Sequence, residues 1–205
     1  MTKALVIVDI HQGSDECWDC IDKEKIKLGF TDDTIVVAGN IAKALSIARA
    51  SSLQMPIVFI VCPYGYPLDQ YQKEIMFRAF DSCVFCDGEY SLAPFLEHNH
   101  AAEPVFCKKT TDAFTNKAFL HYLQERNVRE ICLAGFHTEC CVYWTAVGGL
   151  RNGFAVTLLG QCCYTRLTER REEYWLENIL KEVPSAAAPR RIRIAHDIEA
   201  ALAIE

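Results

Sequence analysis

Residues 130–153 read EICLAGFHTECCVYWTAVGGLRNG, and this stretch decides how the rest of the chain is read. Its opening, Ile131 to Ala134, is an apolar run with the length and composition of a buried strand. Gly135 follows, where a strand commonly gives way to a sharp turn. Thr138 suits an N-cap, and Glu139 places a negative charge in a first helical turn. Val142, Tyr143, Ala146, Val147 and Leu150 then recur at helical spacing until Asn152 and Gly153 supply a stop signal. Cys140 and Cys141 are therefore predicted in the first turn of a helix, just past a buried strand. Backbone N–H groups and the positive end of the helix dipole favour a thiolate there. Free cysteines also serve as small core fillers, so position alone leaves both readings open.

Outward from this stretch, strand-like and helix-like segments alternate. Lys3 to Asp9 reads as a first strand, apolar almost throughout and so expected to be buried on both faces. Residues 10–31 read as a polar loop, and a helix begins at Thr31-Asp32-Asp33. Further strands are predicted at Ile57–Cys62, Pro104–Cys107, Val128–Ala134, Phe154–Leu159 and Ile192–Ala195. Helices are predicted at Asn116–Gln124, Glu169–Glu182 and Asp197–Ala203, with a further helical segment at Gln70–Phe80. This alternation predicts an α/β fold: a three-layer α/β/α arrangement around a mostly parallel sheet of about six strands. Residues 1–205 read as one domain, with a loop-rich insertion at about 63–103 of the kind that commonly serves as a lid or subunit contact.

Composition excludes several classes. The net charge is −6 with acids and bases interspersed, so no basic stripe marks a nucleic-acid partner. The opening apolar run, Ala4 to Val8, is too short for a signal-peptide core or a membrane span, and a soluble, cytoplasmic protein is expected. Eleven cysteines, an odd number, argue against a disulfide framework and for reduced thiols, a metal site or a reactive thiol.

In open parallel sheets, ligands bind beyond the carboxyl ends of the strands. Asp9, Lys108 and Cys141 all fall at such ends. A lysine and a helix dipole would lower a thiol pKa there, and a carboxylate would take the thiol proton and later return it to a leaving group. Backbone N–H groups at the helix start would hold a tetrahedral oxyanion.

These residues resemble the isochorismatase-like cysteine hydrolases, a family that includes nicotinamidases, N-carbamoylsarcosine amidohydrolases and ureidoacrylate hydrolases. The first-strand motif appears as ALVIVD, ending in Asp9. The lysine motif appears as KKTTDAF, from Lys108 to Phe114. The longest motif, G-x-x-T-x-x-C-V-x-x-T-A ending in glycine, is matched by Gly135, Thr138, Cys141, Val142, Thr145, Ala146 and Gly153. The resemblance implies that Cys141, rather than Cys140, is the nucleophile, with Asp9 as general base and acid and Lys108 as the stabilising charge. It implies a cis Phe136–His137 peptide bond, aiming the N–H groups of His137 and Cys141 at an oxyanion. It also implies a small-molecule substrate and a homo-oligomer, a dimer or tetramer. Aromatic candidates for the pocket are Trp18, Tyr64, Phe114 and Trp144, with His11 beside Asp9 if the first strand continues.

The chain departs from the family pattern in places. Nicotinamidases hold a metal with an aspartate and histidines after the second strand, and here that region reads CPYGYPLDQYQ, with no histidine from Ile57 to Phe80. No catalytic metal or other cofactor is therefore expected, and nicotinamide drops as a substrate. True isochorismatases cleave a vinyl ether without a cysteine in this place, so Cys141 points to an amide, carbamoyl or ureido C–N bond. Gln161-Cys162 stands where relatives have Asp-Ala. Cys17-x-x-Cys20 and Cys83-x-x-Cys86 together have the composition of a four-thiolate structural zinc site, at a spacing unlike known zinc ribbons. A non-catalytic binding or assembly protein on the same scaffold, and a thiol redox protein, are the alternative functions.

Overall fold

Lys3–Val8 forms β1, and every residue of it is buried. Ala4, Val6 and Val8 enter one hydrophobic cluster while Leu5 and Ile7 enter another, as the two-residue period of a strand requires. This computed structural model describes residues 2–10, 33–52, 54–61, 92–108, 110–165, 172–183 and 191–203. His11, Trp18, Tyr64, both C-x-x-C pairs and the helix predicted over Gln70–Phe80 lie outside them.

The elements after β1 are α1 (Asp33–Ala50), β2 (Ile57–Val61), β3 (Val105–Cys107), α2 (Lys117–Glu125), β4 (Glu130–Phe136), α3 (Tyr143–Arg151), β5 (Ala155–Tyr164), α4 (Glu172–Glu182), β6 (Ile192–Ala195) and α5 (Ile198–Leu202). Among the described residues, six strands pair in the order β3-β2-β1-β4-β5-β6. Every pairing is parallel. Helices α2, α3 and α4 cover one face through Phe119, Leu123, Val147, Leu150 and Ile179. Helices α1 and α5 cover the other through Ile41, Leu45, Ile198 and Leu202. The predicted three-layer α/β/α architecture is the one observed. Both edge strands are short, β3 with three residues and β6 with four, which limits the unpaired backbone left open to other chains. Among the described residues, no helix is long and apolar enough to cross a membrane.

The chain runs from β1 outward through β2 to β3, then returns to place β4 on the other side of β1. The carboxyl ends of β1 and β4 therefore flank the point where strand order reverses, the usual crevice for a ligand in such sheets.

Two local expectations need correction. Strand β5 was expected to end at Leu159 and instead runs to Tyr164. Its pairing with β4 jumps from Leu133↔Leu158 to Gly135↔Cys163, so extra β5 residues bulge out and the strand rejoins β4 at its end. The bulge hides the two-residue alternation that would have marked a longer strand. The second correction concerns Thr138, expected as an N-cap. The N-cap position is His137, which makes no side-chain cap bond, and residues Thr138–Val142 form a π-helical turn ahead of α3. The Thr138 hydroxyl instead donates to the carbonyl of Tyr164 at 2.9 Å, in the part of β5 that the sequence did not reveal.

Candidate active site

Asp9 is the first residue after β1. It adopts φ of 55°, a left-handed conformation that aspartate tolerates better than most residues, and its N–H donates to the Ile60 carbonyl at 2.9 Å. The extended run thus stops at Val8. Lys108 follows β3 and ties back to the sheet through its N–H, which donates to Val61 O at 2.8 Å. Asn116 secures the same segment. Its amide donates to Cys107 O at 2.8 Å while its oxygen caps α2 by accepting from Ala118 N and Phe119 N. Thr145, wholly buried in α3, accepts the Ala113 N–H at 3.2 Å and so joins the segment after Lys108 to the helix that follows Cys141.

Gly135 explains how β4 comes so close to Asp9. At φ of 130°, a Cβ here would stand 2.1 Å from the Val8 carbonyl oxygen, so only glycine permits this approach of the two strand ends. The peptide bond between Phe136 and His137 is cis. The His137 carbonyl then accepts from both Cys140 N and Val142 N at 3.1 Å, and this closes the turn that carries the thiols.

These supports bring Asp9, Lys108 and Cys141 together in the interior, at 3%, 2% and 2% exposure. Lys108 Nζ lies 2.8 Å from Asp9 Oδ2 and 3.1 Å from Cys141 Sγ, bridging carboxylate and sulfur. Asp9 Oδ1 is buried and meets no hydrogen-bond partner among the described residues. A hydrogen bond shared with Cys140, burial, and the Asp9 carboxylate hold the Cys141 thiol well above its ordinary pKa, while Lys108 pulls the other way. The expectation that lysine and dipole would lower this pKa is therefore corrected. The hydrogen bond with Cys140 and burial carry most of the rise, and the Asp9 carboxylate, which already pairs with Lys108, adds to it. The bond shared with Cys141 draws Cys140 down, helped by Lys108 and opposed by burial.

Of the two described aromatic candidates, Phe114 is a core residue and Trp144 packs against the same core. Phe114, 2% exposed, packs between Phe119 and Phe154 with ring centroids 4.9 and 5.6 Å away. Phe154 precedes the amino end of β5, so Phe114 fills the lower core rather than a cleft at the strands' carboxyl ends. Trp144 lies half-buried against the same core, edge-on to Tyr143. Glu139 was read only as a first-turn charge. It lies partly buried 3.5 Å from the ring of His137, itself a buried residue. Burial raises the Glu139 pKa, but hydrogen bonds from His137 and the nearby backbone outweigh it and hold the carboxyl below its ordinary value. A histidine and an acid flanking a threonine were the available signal for that pair.

Asp112 was also missed. Its carboxylate caps the turn at Ala113–Thr115 by accepting from Phe114 N at 2.8 Å, and Gly148 makes room for it, since a Cβ there would stand 2.3 Å from Oδ1. Among the described residues, no group of three or more histidine, cysteine, aspartate or glutamate side chains is placed to hold a metal.

Comparison with known proteins gives this geometry a setting. Three of the solved structures that share the fold illustrate it. An isochorismatase-like hydrolase from Alkaliphilus metalliredigens is 17% identical, with 98% of this chain and 94% of that one covered at a TM-score of 0.67. N-carbamoylsarcosine amidase from Thermoplasma acidophilum is 19% identical, with 87% and 93% covered at 0.65. Nicotinamidase/pyrazinamidase from Bacillus subtilis is 20% identical, with 96% and 100% covered at 0.63. No curated protein matched significantly. The sequence profile of the Isochorismatase domain matches residues 3–186, from the first residue of β1 to beyond α4. By that match, and with the fold in agreement, the chain belongs to the Isochorismatase domain family.

Proposed function

We propose that this protein is a cysteine hydrolase that cleaves a small-molecule amide, carbamoyl or ureido C–N bond through an acyl-enzyme on Cys141. The observation that carries the reading is the buried bridge from Asp9 through Lys108 to Cys141, at 2.8 and 3.1 Å. A resting thiol suits this scheme. Moving the Cys141 proton to Asp9 changes no net charge in the buried trio, whereas losing it to solvent would. Asp9, with Oδ1 unengaged among the described residues, is the base. The sulfur adds to the carbonyl carbon, and the charge on oxygen is held by the N–H groups of His137 and Cys141. The adduct collapses, the C–N bond breaks, and Asp9 returns its proton to the departing nitrogen. Water then adds to the thioester with Asp9 again as base, releasing the acid or carbamate and restoring the thiol. No metal enters any step.

Screening small amides and ureas, with adducts located by mass spectrometry, would identify the substrate class. Cys141→Ala, Asp9→Asn and Lys108→Met should each lower kcat/KM by about a thousandfold or more. Because the pKa of Cys140 is drawn down, that thiol is the competing nucleophile, and Cys140→Ala decides between them: it should keep activity within about tenfold. Alkylation profiles add a signature that misfolding would not mimic. Removing the Asp9 charge should move the midpoint for labelling Cys141 to lower pH even as turnover is lost. Removing Lys108 should move it to higher pH. Turnover in Cys141→Ala, or adducts on Cys140 alone, would overturn the assignment.

A further inference from the structure

At the amino ends of the strands, opposite the Asp9–Lys108–Cys141 group, a cavity of about 360 Å³ opens between the starts of β4, β5 and β6. Arg129, Arg191 and Arg193 line it together with Glu130, Gly153 and Thr157. Three guanidiniums around one cavity are notable in a chain of net charge −6. Arg193 is accounted for: its Nε donates to Thr157 Oγ1 at 2.8 Å and an Nη lies 3.3 Å from Glu130 Oε1. Glu130 in turn accepts from Thr157 at 2.6 Å, so its capacity is largely used. Arg191 donates only to the carbonyl of Leu150, at 3.1 Å, and its Nε is buried with no hydrogen-bond partner among the described residues. Arg129 is exposed at the rim. Two guanidiniums thus face the cavity with no carboxylate of their own among the described residues. Gly153 leaves the wall open, with no atom within 4 Å of where a Cβ would stand.

We propose that this cavity is a binding site for a doubly charged oxyanion of the phosphate class, separate from the cleft that holds Cys141. A phosphoryl group brings two negative charges and several acceptor oxygens, which suit the fork geometry of guanidinium donors. Arg191 supplies a guanidinium from the wall and Arg129 the rim charge. The cavity falls in the size range that holds a small ligand, with room for more than the phosphoryl group itself.

The test is calorimetric titration of the full chain with inorganic phosphate and, separately, with glycerol 3-phosphate, at ionic strength fixed with sodium chloride. Saturable binding of either is expected. Tighter binding of the ester would identify a phosphorylated small molecule as the occupant, and equal binding would identify free phosphate. Arg129→Met and Arg191→Met should each weaken binding by about tenfold or more. Arg129 is exposed and makes no side-chain hydrogen bond or ion pair among the described residues, so its variant stands as the folding-independent case. Cys141→Ala should bind phosphate as the parent does, since the two sites lie at opposite ends of the sheet. Absence of heat beyond the chloride background, unchanged binding in both arginine variants, or loss of binding in Cys141→Ala would overturn the proposal.

Discussion

Gly135 and Cys141 show how differently single residues register in sequence and in space. The glycine reads as an ordinary turn marker, yet any side chain would run into the Val8 backbone at 2.1 Å, and at φ of 130° it would be strained besides. Gly135→Ala should therefore cost more than about 3 kcal/mol, a value measurable as a fall in the urea midpoint. A change below about 1 kcal/mol would mean that the β1–β4 approach relaxes freely. Cys141 could be picked out as the candidate nucleophile from its place in the motif, but the direction of its pKa could not. That direction depends on the hydrogen bond with Cys140, on burial and on the Asp9 carboxylate, and Asp9 is 132 residues away along the chain from Cys141. Burial pushes Cys132 and Cys162 up to about 12, with Glu130 adding to the rise at Cys132.

At the scale of elements, the segment from β3 to α2 decides whether Lys108 points inward. Asn116 was read as the first residue of a helix, and it does cap α2, but it also holds Cys107 O, next to the lysine. Two caps can be compared. Asp197 caps α5 by accepting from Ala200 N at 3.0 Å and touches no part of the site. Asn116→Ala and Asp197→Ala should each cost about 1 kcal/mol in chemical denaturation. Only Asn116→Ala should also slow turnover, by about tenfold or more, because the lysine loses its anchor. Equal activity in the two variants would detach Asn116 from the site. The turn before α3 teaches the same lesson. Thr138 has the composition of an N-cap, but a partner on the extended end of β5 takes its hydroxyl, and that partner exists only because a bulge lets β5 rejoin β4.

Across the whole molecule, charged contacts join parts of the fold besides the apolar faces. Arg49 on α1 grips Glu103 ahead of β3 with two bonds, at 2.7 and 2.9 Å, and Asn99 N adds a third at 2.9 Å. Burial raises the Glu103 pKa, but Arg49 and the Asn99 N–H outweigh it and hold the carboxyl below its ordinary range. A depressed carboxyl stabilises the fold above its unfolded pKa, near 4.3, and that contribution fades as the pH falls through the folded value. Glu103→Gln should thus cost about 1–3 kcal/mol at neutral pH, and the gap to the parent should close in the acid range. A gap that stays constant from pH 7 to about pH 3 would remove the ion pair from the account. By itself the sequence determined the alternation of strands and helices, the parallel sheet and the three motifs at strand ends. Apolar periodicity and glycine placement act locally, so they can be read along a line. Only the tertiary structure decided that Phe114 is core, that β5 bulges and continues, that Thr138 bonds across the sheet, and that Lys108 stands between Asp9 and Cys141. Each of these turns on which distant groups meet in a buried, poorly screened interior, and no local pattern of residues encodes that.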